Sequence, residues 1–292
     1  MMLRRENSGS ILVFVLVSVA LVTGLALITG AFVRSRSTFV GDAITRAQLR
    51  HAAFSAAAMT AWAIDADTNG VDTMLEPWGE AKHLGDAVVM VADEKARIQF
   101  QSAGVNTIGF LMTYATTLRG EEAVGQARML ENWWNEIKTT ETNRVLGAEE
   151  EILFAPSANV EALSMTLPFI TVLGDGKVNI NTIPREVFIS MVLNTGADIG
   201  VAEVLYDRVI RSRRRGEWFA SLEASEAGKL LAGEGDQLSP KELTVMQTLL
   251  PKLCVESGLF RITAQAERNG IRRTVQCVYE RGTGKILRWV EF

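Results

Sequence analysis

The sequence predicts an α+β fold: a long N-terminal helix, membrane-spanning in its first half, packed on a small antiparallel sheet, with a large all-helical region inserted between strands. Three observations predict it. Residues 10–33 contain no charged residue. Residues 259–290 alternate apolar and polar positions in three segments separated by Asn269-Gly270 and Gly282-Thr283-Gly284, the pattern of strands joined by hairpin turns. Between these ends, residues 104–250 repeat apolar positions at three-to-four spacing, the period of helices.

The uncharged run would span about 36 Å as a helix, more than the ~30 Å hydrocarbon core of a bilayer. Its apolar residues go all the way round, so it belongs in lipid rather than against a protein core. It is longer than the apolar region of a secretory signal peptide and lacks a small-x-small cleavage site after it, so it reads as an uncleaved anchor. Residues 34–64 continue the helix into water. Ala43, Ala47, Leu49, Ala52, Ala53, Ala56 and Ala57 are apolar or helix-forming, with Arg46, Gln48, Arg50 and His51 between them. No proline interrupts 10–64, and Gly41 is a candidate break. Charge alone leans towards a cytoplasmic body, because Arg34, Arg36, Arg46 and Arg50 follow the span while Arg4 and Arg5 precede it.

Residues 65–78 (DADTNGVDTMLEPW) form a loop dense in Asp, Asn, Gly and Pro. Strands are expected at 87–92 and 96–100, with Asp93-Glu94-Lys95 as a hairpin turn. Helices are expected over 108–118 and 121–137, then a polar, acidic connection over 139–151. The segment LPFITVLGDGKVNINTIPREV follows, and then helices near 185–194, 200–213, 222–231 and 239–249. Ser239 as cap and Pro240 at the first helical position mark the start of the last one. Three antiparallel strands need a partner face, and the long helix is the natural cover. Strands near residues 90 and 265 would then share one sheet, making residues 104–257 an insertion.

Composition limits the chemistry. Thirty Lys and Arg against 34 Asp and Glu leave a net charge of −4, so no global basic balance points to nucleic acid. With His51 and His83 as the only histidines, His-dependent catalysis has few ways to be built. No nucleophile elbow, P-loop, dinucleotide fingerprint or zinc motif occurs, and no enzyme is expected. Cys254 and Cys277 allow one disulfide, with two free buried thiols as the alternative. Asp65-x-Asp67-x-Asn69-Gly70-x5-Glu76 has the spacing of a calcium loop, with Val71 supplying a backbone carbonyl. Asp72 stands where that pattern has an apolar residue, and Pro77 blocks an ordinary exiting helix. The reading is a structural Ca²⁺ or, without it, an Asx-rich connection. Arg211, Arg213, Arg214 and Arg215 form a basic cluster, read as a solvated helix end favoured by the C-terminal dipole.

Several of these stretches, in this order, resemble one family. A short basic leader, Gly9 and an immediate apolar run resemble the class III signal of type IV pilins and of type II secretion pseudopilins. The resemblance implies cleavage by prepilin peptidase between Gly9 and Ser10, with methylation of the new amine. The family's Glu at the fifth mature residue is Phe14 here. The member that usually lacks that Glu is the K-type minor pseudopilin of the filament tip, which the chain is also similar to in its Glu76-Pro77-Trp78 loop and the following D-E-x-x-R segment. The L-P-F-I-T-V-L…Asn179-Ile-Asn181-Thr182-Ile-Pro184 block and the F-R-I-T-A strand at Phe260 resemble it too. The resemblance implies a pilin-like fold divided as leader 1–9, transmembrane half 10–33, helix and first strands 34–102, inserted helical domain 103–257 and C-terminal strands 258–292. It further implies a non-enzymatic tip subunit in the bacterial inner membrane, single-pass, with its body in the periplasm. Its partners would be I-type and J-type minor pseudopilins, the other pseudopilins, the inner-membrane assembly platform and the prepilin peptidase.

The N-I-N-T opening and the W-F-A-S segment at Trp218 also resemble the helix-hairpin-helix DNA-binding repeat, a SAM-like arrangement. The alternative function is therefore a membrane-tethered DNA-binding protein of the competence type. Its hairpin would be residues 194–200, which lack the G-I-G triplet. In either reading Asn179, Asn181 and Thr182 are expected to fix the turn and cap the helix begun by Pro184.

Overall fold

The computed structural model describes residues 8–141, 144–223, 230–231 and 237–292. Helix α1 runs unbroken from Ser8 to Asp65, 58 residues or about 86 Å, straight through Gly41. Its first half is long and apolar enough to cross a membrane, and its large side chains from Ile11 to Val33 are exposed. Its second half buries Leu49, Ala53, Ala56, Ala57, Ala61 and Ile64, a stripe at helical spacing. Alanine on that stripe lets the helix lie close on the sheet.

Among the described residues the main sheet has five strands, every neighbour antiparallel, named below in their order across it. Its strands are β1 (Lys82–Leu84), β2 (Ala87–Asp93), β7 (Leu259–Arg268), β8 (Ile271–Glu280) and β9 (Lys285–Glu291). Among the described residues the insertion carries four two-residue strands, β3 to β6. Ala87, Val89, Phe260, Ile262, Ala264, Ala266, Val275, Cys277 and Tyr279 face α1 and make one core with it. The β7–β8 turn places Asn269 and Gly270 at φ 54° and 75°, the left-handed conformations that an Asn-Gly hairpin turn requires. The strands near residues 90 and 265 do share the sheet, with Asp93 opposite Phe260. The chain between them departs from one strand and returns to its direct neighbour.

The expected hairpin at Asp93-Glu94-Lys95 does not form. The Asp93 carboxylate accepts the Lys95 amide at 2.8 Å, and residues Glu94–Ala96 fold into a 3-10 turn that directs the chain off the sheet. Residues expected as a second strand then pair elsewhere: β3 (Ile98–Gln99) lies parallel to β4 (Ile170–Thr171). Likewise β5 (Val178–Asn179) lies parallel to β6 (Leu253–Cys254). The insertion is therefore mainly but not all helical. The segment entering the insertion thus pairs with β4 and the segment leaving it with β5, and the two pairs bury Ile98, Ile170, Val178 and Leu253.

Its helices are α2 (Val105–Ala115), α3 (Gly120–Thr140), α4 (Val160–Thr166), α5 (Arg185–Leu193), α6 (Ile199–Arg214) and α7 (Pro240–Leu249). Ser239 caps α7 and Glu242 reaches back to the Ser239 amide at 2.6 Å, a capping box. These helices enclose a second core, including Leu111, Met112, Leu130, Leu163, Phe188 and Leu205, separate from the core under α1. Leader residues 1–7 and most of the helix expected over 222–231 lie outside the described residues.

Candidate functional site

The polar side chains that matter most lie where the insertion meets the sheet. Asp72, from the loop after α1, is fully buried. Arg281, just past β8, donates to its two oxygens at 2.8 and 2.7 Å, and the Ser257 amide donates to it as well. Asp93, at the end of β2, is equally enclosed. It accepts from Asn179 Nδ2 at 2.9 Å, Thr182 Oγ1 at 2.5 Å, the Lys95 amide and the Ser257 hydroxyl. Burial pushes the Asp93 carboxyl up, against those four donors. Asn179 Nδ2 also donates to the Asp72 carbonyl at 3.1 Å. One side chain of the N-I-N-T turn thus ties the insertion to both carboxylate-bearing segments.

The turn is fixed as the residue types suggest: Asn179 Oδ1 accepts the Asn181 amide at 2.9 Å. The expected cap is absent. Pro184 is the residue before α5, and among the described residues no side-chain cap bonds the helix start. Asn181 and Thr182 are engaged elsewhere, Thr182 with Asp93 and Asn181 with the Phe219 backbone, donating at 3.0 Å and accepting at 2.9 Å.

A second polar cluster sits on the sheet face away from α1. Arg261 of β7 and Arg288 of β9 lie either side of Val278. Both donate to Glu149, which the insertion supplies from its Glu149–Phe154 3-10 turn. Arg261 also clasps Glu94 through two hydrogen bonds of 3.0 and 2.8 Å. Burial would raise the Glu149 carboxyl, but the charge and hydrogen bond of Arg261, with Arg288, hold it below the usual carboxylate range. Ser257, Arg281 and Glu149 carry no motif, and Asp93 stands in the sequence only as part of the D-E-x-x-R segment. A hint lies in β2's alternation, which turns Asp93 inward after Ala87 and Val89.

The calcium-loop residues are not gathered as their spacing suggests. Asp65 accepts the Gly282 amide at 3.3 Å, on the β8–β9 turn. Asn69 donates to Glu76 at 3.1 Å and accepts the Val71 amide at 3.1 Å, so it closes an Asx turn. Asp67, Asp72 and Glu76 instead offer carboxylate oxygens within 4.8 Å of one another. Asp72, the residue that departs from the calcium pattern, has replaced Asp65 in the cluster. That spread suits a cation with oxygen ligands at 2.3–2.6 Å, and burial pushes the Glu76 carboxyl up, as an acidic cluster would. The Glu76-Pro77-Trp78 loop is closed by packing: Trp78 meets Phe260 edge-on at 5.2 Å and donates to Glu76. A Cβ at Gly79 would lie 2.3 Å from the Met74 carbonyl oxygen, so only glycine fits there.

Cys254 and Cys277 are free thiols, the first in β6 of the insertion and the second in the core under α1. Burial pushes both up to about 11, so they are protonated at neutral pH. Helices α5 and α6 do form a helical hairpin, with Gly196 at φ 87° in the turn and Asp198 capping α6 through the Val201 amide at 2.9 Å. Of the arginine cluster, Arg213 donates inward to the Ile180 and Ile183 carbonyls and Arg215 pairs with Glu217 at 2.6 Å. Arg211 and Arg214 are exposed. His51 and His83 lie exposed on α1 and β1.

No protein-family model matches the chain, and no curated relative matches it by sequence. Its fold is similar to that of a chain in the crystal structure of the GspK-GspI-GspJ complex from the enterotoxigenic Escherichia coli type 2 secretion system. The TM-score is 0.59 at 12% identity, and the likeness covers 88% of this chain and 99% of that one. At that identity the finding is one of shared fold: a pilin-like helix and sheet with an added helical region.

Proposed function

We propose that the chain is a minor pseudopilin, a non-enzymatic structural subunit at the tip of a type II secretion pseudopilus. The observation that carries this reading is α1: one continuous helix, apolar and exposed over a bilayer's thickness, then buried against its own sheet. Such a helix serves both as anchor and as the shaft by which a subunit exchanges lipid for neighbouring helices. The K-type assignment rests on Phe14 and on the insertion between β2 and β7, whose bulk would obstruct subunits stacked further down a filament. On this reading the body is periplasmic, the boundaries fall at 9, 33, 102 and 257, and the chain is cut between Gly9 and Ser10. I-type and J-type minor pseudopilins, the remaining pseudopilins and the assembly platform are its partners. The α5–α6 hairpin is a SAM-like element serving packing, since Arg213 is spent inside the fold.

Mass spectrometry of the N-terminus tests the proposal. Protein purified from its membrane should begin at N-methylated Ser10. A chain starting at Met1, or lacking the whole apolar segment, would overturn it.

The Asp67, Asp72 and Glu76 cluster is proposed to hold one structural Ca²⁺, supplying charge neutralisation and no reaction step. A site filled at ten times its Kd would add about 1.4 kcal/mol of stability. Titration calorimetry should therefore show heat on Ca²⁺ addition and a higher melting temperature that EGTA reverses. Absence of both removes the ion from the account.

A further inference from the structure

Beside the end of α1 lies a feature that filament assembly through α1 does not use. A cavity of about 490 Å³ opens between the helix and the sheet edge, lined by Met59, Trp62, Pro77, Trp78, Leu84 and Val91. Two of its walls are unusually open for their type, Trp62 at 75% and Met59 at 59% exposure. Large apolar side chains left uncovered around a concavity mark a binding surface rather than ordinary surface scatter.

Two further properties say what fits. The cavity adjoins β1, the edge strand of the sheet, and among the described residues no strand pairs with its outer side. Lys82 and Leu84 of β1 themselves line the opening, so the edge's backbone donors and acceptors stand next to the apolar wall. With the cluster proposed for Ca²⁺ empty the rim is acidic: Asp67, Glu76 and Glu80 line the opening, and Lys82 is the one cation among the described lining residues. A bilayer is not the occupant, because Trp62 lies about 43 Å along the helix axis from Val33, beyond any headgroup layer. An acidic rim would also repel anionic lipid.

We propose that this groove docks an extended segment of a partner protein, added as a strand to the outer edge of β1, with an apolar side chain in the cavity and a basic residue beside it. Main-chain pairing supplies part of the affinity in such strand addition, while the cavity and the rim charge supply selectivity. The proposal stands apart from the filament reading, since it uses neither the membrane half of α1 nor the insertion.

Selection of random heptapeptides displayed on phage, against the full-length chain in nanodiscs with EDTA present, tests it. Enriched peptides should carry an apolar residue within two positions of Lys or Arg. Their affinity should fall at least fivefold for Trp62→Ala and for Glu80→Lys, and weaken as salt rises. Both side chains are exposed, so melting temperatures of the variants should match the parent's. No enrichment over empty nanodiscs, enrichment of acidic peptides, or equal affinity for parent and both variants would each overturn the proposal.

Discussion

Replacing Arg281 with alanine is expected to lower folding stability by about 3–5 kcal/mol, the cost of leaving one member of a buried ion pair behind. Asp72 is 0% exposed, and Arg281 supplies hydrogen bonds to both of its oxygens. The same guanidinium donates to the Ser257 carbonyl at 2.8 Å and lies 5.3 Å over the Phe260 ring, so the loss reaches the core under α1. Urea unfolding of the micelle-bound chain, followed by tryptophan fluorescence, measures it. A loss below about 1 kcal/mol would show that the pair is not what holds this corner. Adding Asp72→Asn should recover part of the loss, because the buried charge is then gone and the two changes share one interaction.

Glu149→Ala is expected to have a cost of similar size, again about 3–5 kcal/mol, for a different reason. Here one carboxylate, 4% exposed, serves two sheet arginines at once, with Arg97 a further 3.5 Å from it. Its removal leaves Glu94, with the more exposed Glu150 on Arg288 at 2.7 Å, to balance Arg97, Arg261 and Arg288 in a half-buried cluster. The parent's pH dependence carries a matching signature. Because the folded Glu149 carboxyl titrates below its unfolded value, its contribution is complete above about pH 4.5 and is lost as pH falls through the lower, folded value. Parent and variant should therefore differ most near neutrality and converge in acid. Stability curves that stay parallel down to acid pH would refute a role for the ionised Glu149.

The junction was the part of the molecule least legible in the sequence, and the reason is distance along the chain. Glu94 meets Arg261 across 167 residues and Asn179 meets Asp93 across 86, separations that no periodicity or local motif encodes. What could be read was governed by nearest neighbours. The span follows from a charge-free run, the helix–sheet core from an alanine stripe, and β7–β8 from alternation either side of Asn269-Gly270. β1 carries no strand pattern in the sequence because Lys82-His83-Leu84 is short and polar, as edge strands often are. The reading of Asp93-Glu94-Lys95 as a hairpin failed for a related reason. The residues do form a turn, but Asp93 uses its carboxylate to fold the chain away from the sheet rather than back onto it. The calcium spacing does not hold at Asp65, which the β8–β9 turn claims through the Gly282 amide, while Asp72, held by Arg281, has a carboxylate oxygen within 4.8 Å of Asp67 and Glu76.

The unbroken course of α1 also makes the molecule a lever. With no hinge between the lipid-embedded half and the half bearing the sheet, orientation set in the membrane is transmitted whole to the body. A transmembrane helix leaning by about 20°, an ordinary angle, would carry Asp65 sideways by about 30 Å over the length of this one. Small changes of lean in the bilayer thus sweep the helical insertion and the β1 edge across a wide arc.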